Sequence, residues 1–402
     1  MRRLIKFECR KAFFRWPVAV LCVLLSIINI LKVDNVYHEN SYLAENKSWD
    51  IAYWELYGKY SGEMTLDKVH SLLDIYHPLE EQTADMTATS AFGVEGTITG
   101  NIWSDKNLLD RYYVSPMQYC YTYQNLAMRV CFKARENVEL FTYLGNNYEV
   151  AKNERIATLF TGRQINNFHY TEGWLYYTYY DFSTMLVLLL CFYGIAQVFT
   201  REKESRMDKL LPTSRNGRQL TTLAKVFAST LFIVGISLWF SVLDFVSFSI
   251  IFGMSDGIFL PIYAIENLSY TSIDLSIWQY AIVTALSRTL GVWVLSMAVL
   301  LISVFCQYAL IPIVAGVTMF LCLVLAQIQW GYSSHAWLKI FNPYSLMDSR
   351  LLYGKTEFVN FFGIPLLTWE AALLAMAVVG MCLVLMIFRF RKISALKGGA
   401  SI

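Results

Sequence analysis

Two ionisable side chains interrupt long apolar stretches: Asp244 in SLWFSVLDFVSFSI and Arg288 in IVTALSRTLGVWV. A charge in such surroundings is costly to desolvate, so it is retained where it is paired or where it lines a polar path. At 1.5 Å per helical residue, Asp244 lies ~12 Å and Arg288 ~13 Å from the same end of two consecutive antiparallel spans. Two chemistries fit: a buried ion pair that fixes helix register, or part of a substrate path. Little else in the chain has the spacing for chemistry. His38, His70, His77, His169 and His335 form no HExxH or other ligand pattern, and GxSxG, GxxxxGK[ST] and GxGxxG do not occur. Neither catalysis nor ATP binding on this chain is expected.

The eight cysteines give no CxxC, and six lie in or beside apolar runs, where a thiol acts as a small hydrophobe. No metal site is expected. Cys120 and Cys131 fall in a polar segment, but intervening helix would hold their Cα atoms ~16 Å apart, too far for a disulfide.

The elements that must position Asp244 and Arg288 follow from composition. The chain has 402 residues, 56% hydrophobic and 16% charged, with net charge +2 and mean hydropathy +0.40, which places it with polytopic membrane proteins. Near-neutral charge without a basic tract gives no case for nucleic-acid binding. A span needs ~20 mostly apolar residues. Six stretches qualify, at about 13–32, 182–200, 223–252, 280–306, 309–328 and 367–388. The first follows a basic start, MRRLIKFECRKAFFRWP, without a small-x-small cleavage site after it, and reads as an uncleaved signal-anchor.

Lysine and arginine set orientation. Six occur in the first 16 residues, seven in 199–225 and four in the tail from 389, against none in 253–278 and three in 329–366. Both termini and the 199–225 loop are therefore expected in the cytoplasm of a multi-pass cell-membrane protein. The expected division is an interfacial elbow helix at 1–16, a first span at 17–33, an extracytoplasmic domain at 34–181, and five further spans within 182–402 with an outer segment at 329–366. The fold class is mainly α: a six-helix bundle with a mostly helical, α or α+β, outside domain.

In that domain MTLDKVHSLLDIYH offers Thr65 as N-cap to an amphipathic helix, whereas TSAFGVEGTITGNIW reads as loop or short strand. Its acidic balance and its Tyr and Trp suit either a solvated outer surface with an aromatic belt or a face for cationic or amphipathic substrates such as peptides. In SHAWLKIFNPYSLMDSRLLYG, Asn342-Pro343 interrupts helix and the segment is too polar to span, so short re-entrant helices guarding an exit are expected.

Between the second and third apolar stretches lies VFTREKESRMDKLLPTSRNGRQLTTLAKVF. Met207, Leu210 and Leu211 form an i, i+3, i+4 patch on a charged helix ended by Pro212, suited to docking in a partner's groove. This stretch resembles the loop between second and third spans of type-2 ATP-binding-cassette (ABC) transporter permeases. Phe199, Glu202, Leu210, Leu211, Thr213, Arg215 and Lys225 fall on the family pattern, and Arg206 stands where the family commonly has Gly. The likeness extends to six spans, a basic elbow, a large insertion after the first span, and FNPYSLMDSRLLYG before the sixth.

The resemblance implies an exporter's permease subunit, working by alternating access as a homodimer, or as a heterodimer with a similar chain. ATP and magnesium would be bound by a separate cytoplasmic ATPase. Glu202, Arg206, Met207, Leu210, Leu211 and Arg215 would couple to that ATPase, and Lys225 would sit at the membrane edge. A receptor or immunity protein that binds a peptide through its outside domain without transport is the alternative. It predicts ligand binding by the excised domain.

Overall fold

The computed structural model describes residues 1–84, 98–205, 217–253, 256–330 and 336–399. Helix α1, Arg2–Ala12, buries Glu8 and Ala12 and leaves Arg2, Arg3, Lys6 and Arg10 exposed. After a short turn α2, Trp16–Asn40, begins with Pro17 in its first turn, where the missing N–H costs nothing. It runs on past position 33, because LKVDNVYHEN holds no helix breaker and Val33, Val36 and Tyr37 have a core to pack against.

The chain then builds a helical lobe from α3 (Tyr42–Glu45), α4 (Lys47–Tyr60), α5 (Leu66–Thr83), α6 (Ile102–Leu109), α7 (Ser115–Tyr143), α8 (Asn147–Phe160) and α9 (Glu172–Tyr179). Thr65 caps α5 by accepting from the Lys68 N–H, as expected. One π-helical turn at Asp110–Val114 joins α6 to α7, and within it the adjacent Tyr112 and Tyr113 are both buried. Strands β1 (Gly62–Glu63) and β2 (Asn167–Phe168) pair antiparallel, Gly62 opposite Phe168. Cys120 and Cys131 share α7 and are unbridged. Most of the TSAFGVEGTITGNIW stretch lies outside the described residues.

The remaining long helices are α10 (Phe182–Glu204), α11 (Gly217–Ile251), α12 (Ile277–Phe305), α13 (Leu310–Trp330) and, after shorter elements, α16 (Thr368–Gly399). Among the described residues, six helices are long and apolar enough to cross a membrane: α2, α9–α10 taken together, and α11, α12, α13 and α16. Between α13 and α16 come α14 (Ala336–Phe341), a 3-10 turn at Pro343–Leu346, α15 (Ser349–Tyr353), and a hairpin of β3 (Phe358–Phe361) and β4 (Ile364–Leu367). The helix break at Asn342 is as the sequence predicts, and this segment folds back into the bundle. Asn342 Nδ2 donates to the Leu323 carbonyl at 3.0 Å, and Ser287 Oγ donates to the Leu346 carbonyl at 3.0 Å. Gly291 on α12 permits this approach, since a Cβ there would stand 2.8 Å from the Pro343 oxygen.

The hydrophobic interior has two parts. One joins the aromatic lobe, including Tyr53, Tyr113, Phe160 and Trp174, to Phe248 and Phe252 of α11, to Leu260–Leu268 of the α11–α12 connection and to Met376 of α16. The other lies at the α1 end of the bundle and draws on α1, α2, α10, α11, α12, α13 and α16.

Candidate functional site

Asp244 is 1% exposed, and four helices converge on it. Its Oδ1 accepts from Asn29 Nδ2 of α2 at 2.7 Å. Its Oδ2 accepts from Ser183 Oγ of α10 at 2.6 Å and from Arg288 Nη1 of α12 at 2.8 Å. The same Arg288 nitrogen donates to Ser183 Oγ at 3.0 Å, and Tyr180 OH donates to Asn29 Oδ1 at 2.8 Å. A buried carboxylate is tolerable only when charge-paired and hydrogen-bonded in this way. The expected Asp244–Arg288 ion pair therefore forms. Asn29 and Ser183 complete it, and the lone amide in VLLSIINIL was the signal that sequence reasoning passed over.

A cavity of about 20 Å³ adjoins the pair, between Arg288, Tyr180, Asp181 and Asp348. That is room for roughly one water. Tyr180 and Asp181 occupy the break between α9 and α10, where helical hydrogen bonding lapses and side chains can turn inward.

A second ionic cluster lies at the α1 end. Glu202, near the end of α10, is 4% exposed; its Oε1 accepts from Lys11 Nζ of α1 at 2.9 Å and its Oε2 pairs with Lys225 Nζ of α11. Lys225 is itself 1% exposed, donates to the Val198 carbonyl at 3.0 Å and stands over the Phe199 ring. Glu8 is buried beside them, and that burial raises its carboxyl pKa against the opposing fields of Lys225 and Lys11. Glu202 and Lys225, assigned by resemblance to partner contact and membrane edge, thus face each other in the interior. The sequence reading missed Glu8 and Lys11; a lone acid in an otherwise basic helix was the available signal. Arg206, Met207, Leu210, Leu211 and Arg215 lie outside the described residues.

The lobe holds a cavity of about 310 Å³ against the α11–α12 connection. Glu172 lines it: its Oε2 accepts from Ser41, Tyr112 and Tyr170 at 3.2, 3.2 and 2.8 Å, and its Oε1 faces Arg111 at 3.4 Å. Burial raises the Tyr112 hydroxyl pKa and lowers that of His169, whose Nδ1 lies 3.1 Å from Tyr57 OH. Among the described residues no group of three or more His, Cys, Asp or Glu could hold a metal ion. No protein-family model matches the chain, and no curated protein matches it significantly.

Proposed function

We propose that the chain is the transmembrane subunit of an ATP-driven ABC exporter in the cell membrane. It moves a substrate such as a peptide by alternating access, powered by a separate ATPase that binds ATP and magnesium. The basic flanks argue for both termini and the 199–225 loop in the cytoplasm and the lobe outside. In the family this chain resembles, six such spans supply half of a pathway, so the resemblance implies a dimer with itself or with a similar chain.

The observation that carries this reading is the Lys11–Glu202–Lys225 cluster. It fastens the elbow helix α1 to the ends of α10 and α11, the two helices that bracket the segment assigned to ATPase docking. Force applied to that segment would reach three helices through one buried joint rather than dissipate in a loose loop. Arg206, Met207, Leu210, Leu211 and Arg215 supply the docking face in this reading, and Glu202 and Lys225 transmit from behind it.

Purification from native membranes, with mass-spectrometric identification of what accompanies the chain, tests the proposal. An ATPase subunit is expected with the wild type and absent with Leu210→Asp plus Leu211→Asp, while the permease stays folded. Absence of an ATPase from a preparation that preserves other membrane complexes would favour the peptide-binding receptor instead.

A further inference from the structure

A crevice of about 660 Å³ opens between the α1–α2 turn and α11. Its walls are apolar, with Phe13, Ala19, Cys22, Leu231 and Gly235 among them, and Arg15 at its mouth. Phe13 stacks on Phe232 at 4.2 Å between ring centroids and closes the floor. Small residues keep the crevice open: Ala19 is exposed, and a Cβ added at Gly235 would meet nothing within 4 Å. Farther along, α2 and α11 are drawn together by Trp239 Nε1 donating to Ser26 Oγ at 3.1 Å and by the Asn29–Asp244 contact. The crevice is thus a bounded slot. Along α11 it spans residues 228–236, ~12 Å of helix rise, which suits most of one acyl chain.

The charge at its mouth selects the occupant. Arg15 immediately precedes the apolar span that begins at Trp16, which sets it at headgroup depth. The exposed face of α1 adds Arg2, Arg3, Lys6 and Arg10, while the one acid of that helix, Glu8, is turned inward. Of its five N–H donors, Arg15 directs one to the Lys11 carbonyl and one to Gln197 Oε1 at 3.4 Å, which leaves others for a phosphate. We propose that this slot binds one anionic glycerophospholipid, its acyl chain between α2 and α11 and its phosphate at Arg15. The lipid would then be a structural wedge that sets how the elbow helix meets the bundle. The proposal does not depend on the exporter reading.

The test uses the full-length chain in nanodiscs of equal phosphatidylglycerol and phosphatidylcholine, re-extracted in mild detergent, with retained lipid identified by native mass spectrometry. One phosphatidylglycerol is expected to remain, preferred over phosphatidylcholine by about fivefold, the ratio typical of one basic contact. Gly235→Trp should empty the slot of both lipids, and Arg15→Gln should keep a lipid but bring the preference close to parity. Ala19→Trp, at an exposed position, blocks the same slot should Gly235→Trp fail to fold. Undiminished phosphatidylglycerol in both plugged variants, or parity in the wild type, overturns the proposal. Displacement of the lipid by inorganic phosphate also overturns it, since the chain would then not be what is held.

Discussion

Arg288 and Asp244 meet at 2.8 Å on neighbouring helices, and the carboxylate they share is also held by Asn29 and Ser183. One carboxylate thereby sets the register of four helices at once. Removing either charge leaves the other stranded in the interior. Asp244→Ala or Arg288→Ala should each cost about 3–5 kcal/mol, read as a lowered unfolding midpoint in detergent. The double variant Asp244→Leu plus Arg288→Met should recover much of that loss. If the double variant is as unstable as the sum of the singles, the pair is not the source of the cost.

At the α1 end the two lysines that share Glu202 should differ sharply. Lys225→Met strips a buried partner from a buried carboxylate and should destabilise by about 3 kcal/mol or more. Lys11 is 35% exposed, so Lys11→Ala should cost less than about 1 kcal/mol. On the proposed exporter reading, transport assayed with the partner ATPase should fall for Lys11→Ala by more than its stability does, because that contact joins α1 to the bundle. Unchanged transport would remove α1 from the coupling path proposed for that reading.

His169 makes the lobe sensitive to acid. Burial holds its pKa below the ordinary 6.5, with Lys68 adding to the effect and Asp256 opposing it. The unfolded chain therefore takes up a proton before the folded lobe does. Stability from this group is complete above about pH 6.5 and is lost as pH falls toward the lowered value. Unfolding midpoints measured between about pH 7.5 and 5.5 should drop for wild type and drop less for His169→Gln. Equal slopes would mean that other groups carry the dependence.

Two glycines in the bundle should respond oppositely to alanine. At Gly291 the new Cβ would press on backbone, the Pro343 oxygen 2.8 Å away, which cannot move without displacing the folded-back segment. A loss of about 1–3 kcal/mol is expected. Gly235→Ala meets open space and should be neutral or slightly stabilising through helix propensity. Thermal unfolding of the two variants side by side decides this, and equal effects would refute the close approach at Gly291.

The six spans were legible because ~20 apolar residues in a row have few other uses. The Asp244–Arg288 pair was legible for the converse reason, that lone charges in such runs need partners. Asn29 escaped notice because a neutral amide perturbs hydropathy little, and nothing local in VLLSIINIL says that a carboxylate waits on another helix. Helix α2 runs to Asn40, past the expected end of the first span at 33: hydropathy marks where an apolar run stops, whereas the helix continues as long as Val33, Val36 and Tyr37 find a core. The burial of Lys225 was hidden for a similar reason, since its ion-pair partner Glu202 lies on another helix, and the Lys11 that shares that carboxylate comes from the other end of the bundle's sequence.

The lobe's interior does not close upon itself. Val33 from α2, Phe248 and Phe252 from α11, and Leu260, Ile262 and Leu268 from the α11–α12 connection complete it. Excised at the points where hydropathy changes, the lobe would carry an open apolar wound and aggregate, so a failed binding experiment with the fragment would say nothing about its ligand. Nor could the lobe be transplanted between chains as a cassette. Phe248 and Phe252 tie α11 into the lobe's aromatic centre, so a change in tilt of α11 would press on that centre directly.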